Sequence, residues 1–347
     1  MAGTFESPNK ELPGVYLNIK TNEPLSIMPG DRGTTVILQE LSVGDDKATY
    51  TITATDAAYP EIATAADKKL AIEALKNAKT VILYKLPQGH TADDVQAALE
   101  ALTTVDHDTL AYPYDGDTYE AAKTKITTWV KAMYEEEGVP IQAVMANVEA
   151  DSDCVISPVQ GVKLSDGTEL TAAEVTAWVA GITAGASITT SNTGKKYVGA
   201  TDVVPRMKRS AMEEASKAVK FLLKVDNAQN VTVVYDINTH TTFTPEKAKC
   251  YRKNRVIRTI NNIKKDLGLI YEGSYLGVYD NDDNGRALLK GMYCSYFAEL
   301  ARRHAIQNYD PDDIVITEGD ESDVVLVEIA VQPVDSIEKI YVTINLT

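Results

Sequence analysis

The sequence predicts a multi-domain α/β protein: a central, mostly parallel sheet covered by helices, an α+β C-terminal domain, and a strand set apart at each end. Three observations carry this. Strand-like and helix-like patterns alternate from Thr34 to Tyr235, the order that builds helix-covered parallel sheets. After Asn238 helical periodicity takes over. Both termini carry short apolar runs isolated by turn residues. The expected division is an arm at 1–24, a small α+β region at 25–90, an α/β domain at 91–238 and a C-terminal domain at 239–347.

In the arm, Pro13-Gly14 introduces Val15, Tyr16, Leu17, Asn18 and Ile19, and Thr21 to Pro24 closes it. Val15, Leu17 and Ile19 share one face, but a lone strand does not hold itself together in water. Residues 34–38 and 48–53 read as strands. Thr64 with Asp67 three residues later caps a helix whose apolar stripe is Leu70, Ala71, Ala74 and Leu75. A strand at 80–84 follows.

Thr91 and Asp94 cap the next helix, and 109–112 is a strand. Asp117 and Glu120 start a helix with Tyr119, Ala122, Ile126, Trp129, Val130 and Met133 on its buried side. Residues 141–146 form a strand. Thr171 with Glu174 and Ser210 with Glu213 read as further capping boxes, the second ahead of Ala218, Phe221 and Leu222. Residues 231–235 read as a buried strand.

Thr244-Pro245 reads as an N-cap with proline in the first helical position. Helical sequence then runs to Leu267 with a break near Cys250, followed by a hairpin at 270–279. A long helix at 286–306 should face the core with Leu289, Met292, Tyr296 and Leu300. After the acidic stretch 310–323, residues 324–331 are apolar on both faces and suit a strand covered on both sides. The last run sets Ile340, Val342, Ile344 and Leu346 against Tyr341, Thr343 and Asn345. Such a strand needs a partner. It pairs either with the N-terminal strand or with the sheet of a neighbouring copy.

Composition narrows function. The chain has 347 residues, 44% of them hydrophobic, and a net charge of −16 from 34 basic and 50 acidic residues. That balance argues against general nucleic-acid or anionic-membrane binding. Cys154, Cys250 and Cys294 are odd in number and far apart, which indicates neither a disulfide framework nor a metal site and suits a reducing cytoplasm. Met1 to Lys10 lack the apolar core of a signal peptide, and no run is long enough to span a membrane.

Catalytic motifs are missing: no phosphate loop, dinucleotide fingerprint, zinc-protease motif or nucleophile elbow. His90, His107, His240 and His304 are scattered, and His90 and His107 sit beside loops or helix ends, as surface histidines do. Asp280 to Gly285 matches half a calcium loop, but Leu288 and Gly291 fall where ligands belong, so the stretch reads as a turn and helix cap. No catalytic residue, cofactor or metal is expected.

Several ordered segments carry a resemblance. Arg32-Gly33, residues 177–186 (AWVAGITAGA), 253–258 (KNRVIR), 305–310 (AIQNYD) and 330–341 (AVQPVDSIEKIY) resemble contractile tail sheath proteins, most closely those of Gram-positive prophages and phage-tail-like particles. The resemblance spans nearly the whole chain. It implies a subtilisin-like middle domain and a helical sheath around a tail tube. Subunits would exchange the terminal strands Val15 to Ile19 and Ile340 to Leu346, and the sheath would contract. The implied partners are further copies of the chain, the tube protein, and baseplate and tail terminator proteins, without nucleic acid or membrane insertion. Assembly would take place in the host bacterial cytoplasm, on a virion tail or tail-like particle. A cytosolic α/β hydrolase and a non-contractile scaffold are the alternatives.

One charge pattern stands out in this acidic chain. Residues 247–265 hold eight cations, from Lys247 to Lys265. On a helical wheel Val256, Ile260, Ile263 and Leu267 form the buried stripe, with Arg258 and Lys265 opposite and Arg255 to one side. This face is either solvated, paired with the acidic run 310–323, or aimed at an acidic partner. The resemblance names the tail tube as that partner, through Arg255, Arg258 and Lys265.

Overall fold

The computed structural model describes residues 32–53, 59–60, 63–274 and 277–344. The strand expected at Val15 to Ile19 and the terminal residue Leu346 lie outside these residues.

A six-stranded sheet organises the first half. Its strands are β1 (Thr34–Glu40), β2 (Thr49–Ile52), β3 (Thr80–Leu86), β4 (Thr109–Tyr112), β5 (Gln142–Met145) and β6 (Val155–Ile156), in the order β2-β3-β1-β4-β5-β6. All neighbours are parallel except β2 with β3. Helices α1 (Ala65–Leu75) and α4 (Ala172–Ala184) cover one face, packing on Ile37, Leu83, Ala111 and Val144. Helices α2 (Ala92–Leu102) and α3 (Glu120–Glu135) cover the other, on Val36, Leu38, Leu110 and Met145. Burial on both faces explains why these strands read as unbroken apolar runs. Gly181 lets α1 and α4 touch: a Cβ there would lie 2.4 Å from the Ala74 carbonyl oxygen.

The boundary expected at residue 90 is absent as a structural break. β1 to β3 and β4 to β6 share one sheet and both its cores, so the small region and the middle domain form one unit. β7 (Gly161–Leu164), β8 (Glu169–Leu170) and β9 (Ala200–Val204) form a small antiparallel sheet beside it. Helix α5 (Arg209–Lys217) begins at Lys208 without a side-chain cap. Glu213 pairs with Arg209 at 3.0 Å, so the box expected at Ser210 does not form. β10 (Leu223–Val225) pairs antiparallel with β11 (Val231–Val233), so the 231–235 strand is shorter than expected and stays out of the parallel sheet.

The C-terminal part has a core of its own. Thr244 caps only a local turn, its Oγ1 accepting from the Lys247 amide at 3.0 Å, and no helix starts there. Helix α6 (Asn254–Ser274) runs through much of the expected hairpin. Helix α7 (Asp283–Arg302) starts at Asp282, whose carboxylate accepts from the Gly285 amide at 2.7 Å. Leu289, Tyr293, Tyr296, Phe297 and Leu300 of α7 pack with Ile270, Ile306 and Ile314. β12 (Ile306–Gln307) pairs antiparallel with β15 (Gln332–Pro333), and β13 (Ile314–Glu318) with β14 (Val325–Ile329). The double coverage expected for 324–331 fails. The β13–β14 pair meets the α7 core on one side only, leaving Leu326 56% exposed.

Candidate assembly surface

Residues 340–344 are extended but form no strand among the described residues. Ile340, Tyr341, Val342 and Ile344 are 78%, 90%, 75% and 79% exposed. Among the described residues nothing pairs with 340–344. The alternation expected there is present in sequence, without a strand partner among the described residues.

The root of this arm is fixed. The Val334 amide donates to the Ala305 carbonyl at 2.9 Å, just after β15 has paired with β12. Arg255 Nη1 donates to Ser336 Oγ at 2.8 Å. Glu338 is held from three sides: Thr193 Oγ1 donates to Oε1 at 2.6 Å, Ser191 Oγ at 3.3 Å, and Lys253 Nζ meets Oε2. Lys253 also lies 3.5 Å from Asp335 and 4.3 Å above the Tyr235 ring. Burial works against its ammonium, but hydrogen bonds with Glu338 and Tyr235 prevail and hold its pKa above the ordinary lysine value. The arm thus leaves the body at a defined point.

The basic helix turns out differently from its wheel. Arg258 is fully buried. It donates to the Thr183 and Thr190 carbonyls at 3.2 and 2.8 Å and pairs with Asp236 at 3.4 Å. Arg255 is 9% exposed and committed to Ser336. Lys265 lies at the rim, 2.7 Å from Asp106. A surface contact through Arg258 is therefore ruled out for this conformation, and pairing with 310–323 does not occur for any of the three. Ile260, expected in the buried stripe, is only half-buried, whereas Asn254, Thr259, Asn261, Asn262 and Asp266 are inside.

The β13–β14 pair offers the complementary feature. A two-stranded sheet leaves an unpaired edge on each strand, a template for a further strand. Its outer face shows Val315, 48% exposed, and Leu326. Its turn carries the exposed carboxylates of Asp320, Glu321 and Asp323, and is steadied by Asn281 Nδ2 on the Ser322 carbonyl at 2.9 Å.

His90 and His107 are buried, contrary to expectation, and so is His240, whereas His304 is exposed. His90 is 5% exposed, with Nδ1 2.6 Å from Glu40 Oε1 and Nε2 2.8 Å from the Tyr112 hydroxyl. His107 stacks on Trp129, and burial lowers its pKa. Cys154 and His240 line a cavity of about 310 Å3 with Asp151, Asp153 and Lys247. It is the arrangement nearest to a nucleophile with its base, yet His240 faces Asp151 at 3.7 Å and the Lys247 carbonyl at 3.4 Å, not the thiol. Burial, with Asp153 beside it, pushes the Cys154 thiol up to about 12, far from the thiolate a nucleophile needs.

Sequence reasoning missed the anchor. Lys253 and Glu338 both fall inside segments that carry the family resemblance, but 85 residues separate them and no local pattern links them. Nor did it single out β13–β14 as an open edge.

Comparison with known proteins adds the following. The family model for the phage tail sheath protein central domain matches residues 88–239, and that for the phage tail sheath C-terminal domain matches residues 246–347. The tail sheath protein of Clostridium phage phiCD119 is 32% identical over 214 residues, covering 62% of this chain and 58% of that protein. The chain spans little more than half the length of the curated relatives it matches. Among solved structures, the sheath tail protein of Desulfitobacterium hafniense superposes with a TM-score of 0.82 at 30% identity, covering 95% of this chain and 99% of that one. The helical sheath of the anti-feeding prophage in its contracted state gives 0.76 over 98% of this chain and 100% of that one, a likeness of fold alone at 12% identity.

Proposed function

We propose, from the premise that this chain belongs to the phage tail sheath protein family, that it is a non-enzymatic structural subunit that polymerises by strand addition. The observation that carries the reading is an exposed apolar segment, 340–344, on a clamped root, in a chain that also presents an open two-stranded sheet. Five extended residues span about 17 Å, the length of a five-residue strand such as β13 or β14. Each of Ile340, Val342 and Ile344 gains about 1.5–3 kcal/mol if fully buried on a neighbour's sheet, and ordering the backbone offsets part of this.

Donor and acceptor surfaces differ, so the contact is heterologous, and where its rotation does not close it builds an open helix. The C-terminal unit from about 239 would be the polymerising part, and the sheet-bearing unit would move as a body during contraction. The tail tube, baseplate and terminator belong to this proposal as partners. A virion tail or tail-like particle built in the bacterial cytoplasm is its location. The strand at Val15 to Ile19 would be a second exchanged element.

Removing residues 340–347 tests this. The truncated chain should melt like the full chain, because 340–344 pair with nothing among the described residues, and electron microscopy should show no tubes. Tubes from the truncated chain, or a truncated chain that does not fold, would refute strand addition.

A further inference from the structure

We infer that the basic cavity at the root of the arm docks the acidic β13–β14 turn of a second copy of this chain; the inference rests on the strand-addition reading. The cavity holds about 250 Å3 and is lined by Ser216, Lys217, Tyr235, Lys249, Arg252, Lys253 and Lys339. Five of these seven are cations, in a chain of net charge −16. Asp335 and Glu338 beside the cavity are both spent on Lys253. Lys217, Lys249 and Lys339 are exposed and form no ion pair among the described residues; Lys339 lies 5.9 Å from the Tyr235 ring centre. Arg252 gives its Nη2 to the Ser216 carbonyl, while its buried Nε has no hydrogen-bond partner. The cavity is therefore short of acceptors and of negative charge.

The rest of the chain supplies both. Asp320, Glu321 and Asp323 stand exposed at the turn between β13 and β14 without ion-pair partners among the described residues. Copies with a net charge of −16 repel one another, so close association needs a local contact of opposite charge. Connectivity brings these two surfaces together. The arm leaves from Lys339, itself a lining residue, and matches the neighbour's strands in length. Its root therefore comes level with one end of the neighbour's sheet. If that end is the turn, the arm runs antiparallel to β13, the more stable ladder, and the acidic turn faces the cavity. The strand supplies adhesion, and the charges set its direction.

A charge swap tests the inference in the full-length chain. Lys217 and Lys249 are exposed, so the Lys217→Glu, Lys249→Glu variant should melt as the unmodified chain does. Its critical concentration for tube formation should rise about tenfold, since two exposed pairs are lost and replaced by repulsion. Asp320→Lys with Glu321→Lys should do the same. Combining all four changes should return the critical concentration to near its starting value. An unchanged critical concentration in the lysine variant overturns the docking site. A combined variant no better than either pair overturns the acidic turn as its occupant and points to another anionic partner. Removal of 340–347 separates the two readings: if it abolishes tubes while the lysine variant assembles normally, strand addition stands and the cavity inference falls. If the truncated chain still forms tubes, strand addition itself is wrong, and the inference falls with it.

Discussion

Replacing Arg258 with methionine should destabilise the chain by about 3–5 kcal/mol, although the residue lies in what reads as a basic surface helix. The guanidinium is fully buried and holds the Thr183 and Thr190 carbonyls and Asp236. At the 3.4 Å separation from Asp236, an effective dielectric of about 20 gives an attraction of about 5 kcal/mol, most of it offset by desolvating both charges. Removing one partner is a different matter. Asp236 stays buried with only the Asn192 amide and Asn254 Nδ2 donating to it, both at 2.9 Å. Those two donors keep the loss from the missing charge toward the lower end of the range. The two carbonyls each lose a donor, at about 1 kcal/mol apiece. Urea unfolding followed by tryptophan fluorescence measures the sum. Adding Asp236→Asn removes the stranded charge and should recover a substantial part of the loss. A single variant that loses less than about 1 kcal/mol, or a double variant no more stable than the single, would refute the clasp and return Arg258 to the surface.

Two further outcomes are expected. Gly181→Ala should cost about 1–3 kcal/mol in a melting experiment, because its Cβ would sit 2.4 Å from the Ala74 oxygen, whereas Gly291→Ala on α7, with nothing within 4 Å, should stabilise by about 0.5–1 kcal/mol; equal effects would contradict the close α1–α4 contact. Burial works to raise the pKa of Asp67, but hydrogen bonds from Ser42 and Thr64 outweigh it and hold the carboxyl at about 2, below its ordinary 3.8. Its stabilisation is therefore complete above pH 3.8 and lost as pH falls through about 2. The stability gap between the unmodified chain and Asp67→Asn should close over that window, and a gap constant down to pH 2 would rule the carboxylate out.

The α/β half was legible because its signals are local. Its strands are buried on both faces and read as apolar runs, and the boxes at Thr64, Thr91 and Thr171 all form. The stripe of α7 was legible for the same reason. Helix α6 was not. It buries Asn254, Arg258, Thr259 and Asn262, whose burial is made tolerable by hydrogen bonds such as Thr259 Oγ1 to the Ile188 carbonyl, 71 residues away, and Asn262 to Asp266 at 2.6 Å. A hydropathy wheel turns such a helix the wrong way, because it treats satisfied polar groups as exposed. The alternation of 340–346 reads as a strand, but 340–344 are extended without a partner among the described residues. That its root is pinned by Glu338 depends on residues from three separate stretches of chain.

The exposure of 340–344 has a bearing on timing. Nothing among the described residues shields Ile340, Val342 or Ile344, so under strand addition the joining segment would be armed once the body folds. The described residues then provide no internal safety catch. What holds a pool of such subunits back is then the difficulty of starting: the first few copies must be ordered before any arm finds a well-placed edge. If subunits join by strand addition, whatever structure offers a ready-made ring of edges decides where growth begins, and the concentration of free subunits decides only how fast it proceeds.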